Sequence, residues 1–378
     1  MSAWDIPLFD LDYGEAEISA ATEVFKSQWL TMGDRIIAFE AEFAKLCGVP
    51  HAIAMNNCTA GLHAAYLACG VTTGDEVIVP SLTFVATVNT IVAAGATPVF
   101  ADITSPDDLS ISPEAIEKAI TPRTKAIAVL NYAGFPCALD EIRAIADRKG
   151  IALVEDCAHA PGAFHKGRAL GTWGNASAFS FFSNKNLSTG EGGMVITSDD
   201  DVAKRLRLLR SHGMTTLTLD RHKGHAFTYD VLLPGYNYRM DEVHAALGSV
   251  QLAKLAAKNE KRRILTNYYR KAVRENLPEL TIPFGCVPAD DSSCHIFVVV
   301  LPEGSDRSTV MKKLAAARIQ SSVHYPQAHL FSYYRDAYPH VSLPNTEAIG
   351  PRLLTLPLFP HMTTAQVDRV VEALGQAL

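Results

Sequence analysis

Lys185 sits in the stretch AFSFFSNKNLSTGEGGMVIT, residues 178–197, between an apolar run and a glycine-rich turn. A lysine amine can bond covalently to a carbonyl compound, and its surroundings decide how readily it does so. Alone, a loop lysine is most often a solvated cation. Other segments give this one company. Asp156 closes the run IALVED (151–156), and a carboxylate at the end of an apolar run needs a partner, ordinarily a helix cap or a core ion pair. After AIAM (52–55) comes NNCTAGLHAAY, where Thr59, Ala60 and Gly61 open a helix. Backbone N–H groups at such a start take either a plain N-cap or an anion. Phe84, in SLTFVATVN after EVIVP (76–80), is either a core aromatic or a ring facing a crevice. Ser180 adds a hydroxyl near the end of ASAFSF (176–181).

Ligands of open α/β sheets bind beyond the carboxyl ends of the strands. Four such ends here offer a phosphate cradle, a stacking aromatic, an acid and a lysine. A pyridoxal phosphate site needs these parts. The lysine forms the Schiff base. The acid keeps the pyridine nitrogen protonated, so that the ring can accept electrons. The helix start and Ser180 hold the phosphate, and Phe84 fixes the ring plane. Asp156 and Lys185 lie 29 residues apart, which leaves room for a crossover and one more strand between them.

The elements that must place these residues are legible as a pattern. Seven short β-rich runs, at 52–55, 76–80, 97–102, 125–131, 151–156, 176–181 and 193–197, alternate in their earlier part with helical stretches. Several are apolar without alternation, as in strands covered on both faces. This predicts an α/β fold with a mostly parallel, doubly wound central sheet. Beyond residue 199 the pattern predicts a helix, then a long helical region over 240–276. A smaller α+β unit comes next, with strands at 295–301 and 321–325 and helices at 307–318 and 364–376. We expect a large domain at 1–250, including the N-terminal segment, and a small C-terminal domain at 251–378.

Composition narrows the function. The 378 residues are 48% hydrophobic and 20% charged, with a net charge of −6 and no dense basic run. That argues against nucleic acid as the partner. The acidic, proline-broken N-terminus lacks the features of a signal peptide, and no apolar stretch reaches membrane-spanning length. Seven scattered cysteines without a CxxC pair predict buried thiols in a reducing cytoplasm. Neither HExxH nor clustered Cys/His spacing is present, so no metal site is expected.

The segments WLTMG, NCTAGLHAA, PSLTFVATVN, VEDCAHAPGA, FSFFSNKNLSTGEGGMV, GYNYRMDEVHAALGSVQL and VHYPQAH are specific as a set. Through them nearly the whole chain resembles the DegT/DnrJ/EryC1/StrS sugar aminotransferases, within the fold-type-I, aspartate aminotransferase-like enzymes. The closing SLPNTEAIGPRLLTLPLFPHMTTAQV is similar to enzymes making 4-amino-4-deoxyarabinose nucleotides, which alone fixes no substrate.

The resemblance implies that Lys185 bonds the cofactor and shuttles protons, with Asp156 at the pyridine nitrogen. It implies His159 against the ring, Phe84 stacked on it, and Thr59, Ala60 and Ser180 at the phosphate. It also implies a homodimer with shared active sites, in which Asn237 of GYNYR reaches the neighbour's phosphate. Asn186, His324 and Tyr325 become candidates for the substrate side; His324 could equally be a structural histidine in a strand. Related chains often carry a histidine where this one has Asn131, to which no role is assigned. Some relatives replace the lysine with histidine and act as dehydratases; Lys185 is retained, so amino transfer is expected. The expected reaction passes an amino group from L-glutamate, through pyridoxamine phosphate, to a 3-keto or 4-keto nucleotide sugar. Two other acceptor chemistries stay open: a cyclitol ketone, or elimination from a sulfur amino acid instead of transfer. A non-catalytic partner protein on the same scaffold is the remaining alternative.

Overall fold

The computed structural model describes residues 4–216 and 228–378. Its central sheet is built from β1 (His51–Met55), β2 (Glu76–Pro80), β3 (Thr97–Ala101), β4 (Thr124–Leu130), β5 (Ala152–Asp156), β8 (Ala176–Ser180) and β9 (Gly193–Thr197). Two two-residue strands, β6 (Phe164–His165) and β7 (Arg168–Ala169), form a separate hairpin. The sheet runs in the order β1-β9-β8-β5-β4-β2-β3. β9 is antiparallel to both its neighbours, and the remaining pairs are parallel. The carboxyl ends of β1, β2, β4, β5 and β8 therefore open on the same edge.

Helices cover both faces, which is why the strands read as continuous apolar runs. α1 (Glu15–Ser27) and α2 (Asp34–Cys47) precede the sheet; α3 (Cys58–Ala68), α4 (Val85–Ala93), α5 (Pro113–Ala119) and α6 (Leu139–Lys149) connect its strands; α7 (Asp200–Arg210) comes after it. One face carries Phe39 and Phe43 of α2, Ile116 of α5 and Ile142 of α6, against Leu153 of β5. The other carries Leu62 and Tyr66 of α3, Ile91 of α4 and Leu206 of α7, against Val154 of β5. Successive side chains of a strand alternate between faces, and β5 uses this alternation to serve both cores.

A 35-residue helix, Glu242–Asn276, runs past the sheet. Asp241 caps it by accepting the His244 N–H at 3.0 Å. Glu242 turns outward and caps α2 instead: its carboxylate accepts the N–H groups of Gly33, Arg35 and Ile36 at 2.8, 3.0 and 3.1 Å. A cap of this kind is worth about 1 kcal/mol, and here it ties two helices far apart in sequence. Leu255 of the long helix belongs to the α2 core, whereas Leu265, Tyr269 and Val273 belong to a third core. That core packs the antiparallel pair β10 (Phe297–Val300) and β11 (Leu353–Leu356) against the helices Arg307–Ala316 and Thr364–Ala377. Ile6, Tyr132 and Phe135 join the same core.

The segment 321–325 is not a strand. It makes a single bridge, Ser322 to Thr355, because the chain then turns and sends the His324 and Tyr325 side chains toward the sheet edge. β11 and the β6–β7 hairpin are elements that periodicity does not announce; both are too short to show an alternation. Of the seven unpaired cysteines, four are buried, Cys58 and Cys69 are half-buried, and Cys286 is exposed, contrary to expectation for that one thiol. No helix among the described residues is long and apolar enough to cross a membrane.

Candidate active site

A cleft of about 930 Å³ opens at the carboxyl edge of the sheet. Asp156, Ser180, Lys185, Thr59, Ala60, Phe84, His159, His324 and Tyr325 all line it. Two of the expected residues do not. Asn237 is exposed and pairs through its backbone with Ser211. Asn186 is buried behind the lysine, away from the cleft wall.

Lys185 comes after β8 in a tight turn, where its N–H donates to the Phe182 carbonyl at 2.9 Å. The turn then recloses by a bridge between Phe182 and Gly190. Gly190 has a φ of 88°, a conformation that costs a side-chain-bearing residue energy and glycine little. Gly193 starts β9 hard against the start of α3: a Cβ there would lie 2.6 Å from the Asn57 carbonyl carbon. Burial pulls the Lys185 amine down to a pKa of about 8, with the Asp156 carboxylate opposing the shift.

Asp156 ends β5 and is 3% exposed. Its Oδ2 accepts the Thr87 hydroxyl at 2.7 Å, and its Oδ1 accepts the Ala158 N–H at 3.0 Å. Thr87 in turn shares a hydrogen bond with Thr83 at 2.9 Å. Burial raises the pKa of Asp156; the two hydrogen bonds and Lys185 restrain the rise. A carboxylate so placed favours a cationic partner in the cleft.

His159 is fully buried. Its Nδ1 accepts the Ala133 N–H at 3.2 Å, so the ring proton lies on Nε2, which faces the Tyr325 hydroxyl at 2.6 Å. Burial, then the charge of Lys185, holds its pKa well below the usual value. It is a flat, neutral ring. Tyr325 stacks on it at 5.7 Å, and Phe84, 54% exposed, approaches Tyr325 at 5.9 Å. Tyr132 fixes the turn that carries this pair by donating to the His324 carbonyl. The His324 Nδ1 pairs with the Thr355 hydroxyl at 3.0 Å, and burial lowers its pKa to about 4.

The anion cradle is narrower than the sequence suggests. Asn57 caps α3: its Oδ1 takes the Ala60 N–H at 2.8 Å, and its carbonyl takes the Gly61 N–H at 3.2 Å. An N-cap and an anion compete for the same donors, and at Ala60 and Gly61 the cap has won. The N–H groups of Cys58 and Thr59 have no partner among the described residues. Ser180 Oγ accepts the Phe182 N–H at 3.3 Å, which leaves its own hydrogen free to donate. Two open N–H groups, a free hydroxyl, an amine of lowered pKa, a buried acid and aromatic walls in one cleft fit pyridoxal phosphate.

The family model for the DegT/DnrJ/EryC1/StrS aminotransferase family matches residues 12–375. The chain belongs to this family. Among solved structures similar to it is Helicobacter pylori PseC, an aminotransferase involved in the biosynthesis of pseudoaminic acid. It has a TM-score of 0.91 and 28% identity, over 99% of this chain and 98% of that one. DesV from S. venezuelae has a TM-score of 0.89 and 35% identity, over 98% of each chain. The putative sugar aminotransferase Spr1654 from Streptococcus pneumoniae, in its PMP form, has a TM-score of 0.90 and 28% identity, over 99% of each chain. A pyridoxal-phosphate-dependent sugar aminotransferase, the class expected from the motifs, is the class of this family and of these neighbours. The seven-stranded sheet with a single reversed strand agrees with the fold-type-I expectation.

Several residues in and around this cleft carry no motif of their own. Thr87 lies three positions after Phe84 on α4, and helical spacing from the strand end is the signal that could have found it. Tyr132 and His295 give no local signal: His295 precedes β10 and meets Lys185 across 110 residues of chain. Asn131 gains a role as well. It is fully buried, and its Nδ2 donates to Glu155 Oε2 at 2.9 Å. Among the described residues, no group of His, Cys, Asp and Glu is arranged to hold a metal ion.

Proposed function

We propose that this protein transfers the amino group of L-glutamate to the ketone of a nucleotide-linked keto-sugar, with pyridoxal phosphate as its resident cofactor. The observation that carries the reading is one cleft with a lysine amine of lowered pKa, at about 8, on its wall and the buried carboxylate of Asp156 beside it. When bound, the cofactor supplies the electron sink that lets the carbon bearing the amino group lose its proton.

The chain supplies the rest. Lys185 Nζ bonds the cofactor and, once released, moves a proton at the carbon undergoing exchange, as base and then as acid. Its lowered pKa keeps a neutral fraction available near neutral pH. Asp156, steadied by Thr87 and the Ala158 N–H, would hold the proton of the pyridine nitrogen in place. The Cys58 and Thr59 N–H groups and the Ser180 hydroxyl hold the phosphate. His159, Tyr325 and Phe84 wall the ring, and the neutral state of His159 avoids a like charge beside the lysine. His324 stands at the substrate side. Asn237 acts in trans, from the partner of a homodimer. Its exposed position supports this, as do the exposed apolar side chains Val231, Leu232 and Tyr236 on its loop and Phe182 at the cleft.

The absorption spectrum tests the reading. We expect a yellow band on adding pyridoxal phosphate, its bleaching by L-glutamate, and no such band in Lys185→Ala. A band that L-glutamate leaves unmoved rejects the donor and brings elimination from a sulfur amino acid forward. Absence of a band rejects the reading of Lys185. Parallel initial-rate lines for the two substrates are expected, since donor and acceptor use one site in turn.

A further inference from the structure

Behind Lys185 lies a chain of buried polar groups that the transfer mechanism above does not use. His295 is 4% exposed and does not line the cleft. Its Nε2 lies 3.4 Å from Lys185 Nζ, and its Nδ1 lies 2.9 Å from Asn186 Oδ1. Asn186 Nδ2 donates to the Ser293 carbonyl at 2.7 Å and to Asn259 Oδ1 at 2.9 Å. Asn259 Nδ2 donates to the Pro161 carbonyl at 2.9 Å.

Two backbone carbonyls fix the direction of every bond in this chain, because a carbonyl can only accept. Pro161 O orients the Asn259 amide, leaving its Oδ1 toward Asn186. Ser293 O and Asn259 Oδ1 then hold both hydrogens of the Asn186 amide, leaving its Oδ1 toward His295. His295 must donate from Nδ1, so a neutral ring turns the Nε2 lone pair to Lys185. The backbone that carries the ring is held on both sides: the His295 N–H donates to Ala133 O at 2.9 Å, and its carbonyl accepts Arg262 at 3.1 Å. The His159 ring packs against that of His295, tilted by 43° with the centroids 4.4 Å apart.

We propose that His295 is a positioning residue for Lys185: through the Asn186–Asn259 relay it presents a fixed hydrogen-bond acceptor that steers the free lysine amine and holds it in register for proton transfer. The inference rests on the function proposed above, in which that amine is released during each turn of the reaction. The three histidines near the lysine are neutral for the same reason. Burial, and secondarily Lys185 itself, pushes the pKa of His295 and His159 well below the usual value and that of His324 to about 4. Of the other groups facing Lys185, Asp156 and Cys58 favour its charged form. His295 is thus a neutral acceptor, able to take a hydrogen from either the amine or the ammonium, in a setting where an imidazolium would repel the latter.

The test compares His295→Leu, which removes both donor and acceptor, with His295→Gln, which keeps one of each. In the protein without cofactor, the reactivity of Lys185 toward an acylating anhydride is followed against pH by peptide mass spectrometry. We expect a wild-type midpoint near 8. Leucine should lower it by about one pH unit, because the ammonium loses an acceptor, and glutamine should restore it. In the loaded enzyme, His295→Leu should slow the L-glutamate half-reaction about tenfold through the rate constant and not through KM, and His295→Gln should recover most of it. Equal midpoints in all three proteins overturn the proposal, as does an equal loss in both variants. Should the leucine variant fail to fold, nitrogen NMR of wild-type histidines decides: a neutral Nδ1–H ring at His295 is expected, and an imidazolium or the opposite tautomer overturns it. Failure of wild-type Lys185 to bond pyridoxal phosphate would instead sink the proposed function, whatever the midpoints show.

Discussion

Glu155 and Asp156 are neighbours in β5, both buried, yet their side chains point to opposite faces of the sheet. The strand's alternation sends Glu155 to the face of α2 and α6 and Asp156 to the face of α3 and α4. Glu155 Oε1 accepts the N–H groups of Trp173 and Gly174 at 2.8 and 2.7 Å, and its Oε2 accepts Gly171 N–H and Asn131 Nδ2 at 3.0 and 2.9 Å. Three of these donors are backbone N–H groups, which cannot become acceptors, and they reach both oxygens, so the site demands a carboxylate. Asp156 has the Ala158 N–H on one oxygen and the Thr87 hydroxyl on the other. A hydroxyl can turn round, and the rest of the Asp156 carboxylate faces the cleft. One acid is committed to the fold, and the other is left free to act.

The sharpest way to break this contrast is Asp156→Asn. Its amide can keep the Ala158 bond and donate to Thr87, so the variant should fold with wild-type stability. Its half-reaction rate should fall about a hundred- to a thousandfold, read by stopped-flow absorbance beside calorimetry. A matching loss of stability would show that Asp156 is structural too. Glu155→Gln should do the reverse. One orientation of the amide sets its NH2 against the N–H groups of Trp173 and Gly174, the other against that of Gly171, costing about 3 kcal/mol of stability. Any folded fraction should keep near-normal turnover; chemical denaturation with activity per folded molecule checks this.

Lys185→Met probes the cost of the active side. The folded-state pKa of about 8 lies below the ordinary lysine value of 10.5, so the folded protein binds this proton less tightly than the unfolded chain does. Stability of the cofactor-free wild type should therefore rise between pH 8 and 10.5, and the penalty is fully present below that window. The amine keeps a solvated side at the cleft, so methionine should stabilise the cofactor-free protein at pH 7 by about 1–2 kcal/mol, read by chemical denaturation. The gain should vanish above pH 10.5. The smallest effect should come from Thr87→Val, which strips one hydrogen bond from Asp156 and lowers the half-reaction rate about five- to tenfold, with stability changed by less than about 1 kcal/mol.

Much of the active half is legible in the linear chain. Strand ends collect ligands, and Lys185, Asp156, Ser180, Phe84 and Thr59 each stand at or just past the end of an apolar run; all five line one cleft. Ala60 looks like a free donor in the sequence, although the better acceptor, Asn57, stands three residues before it. His324 and Tyr325 enter through the resemblance, but the strand expected around them is absent, since their backbone turns toward the cleft. The side chains that satisfy buried polar atoms are not legible. Asn131 has no assignable role in the sequence, because its partners Glu155 and Cys157 lie across a strand pair.

The sequence by itself determined the apolar runs, their punctuation and hence a parallel sheet whose ends carry an amine and an acid, since periodicity and turn chemistry act over a few residues. Only the tertiary structure decided which carboxylate is held on both oxygens by backbone N–H groups and which stands open. It also decided that Asn186 faces Asn259 and His295 rather than the cleft. A buried donor left without an acceptor costs free energy, and the partners that satisfy Asn186 lie 73 and 109 residues away, beyond the reach of any local pattern.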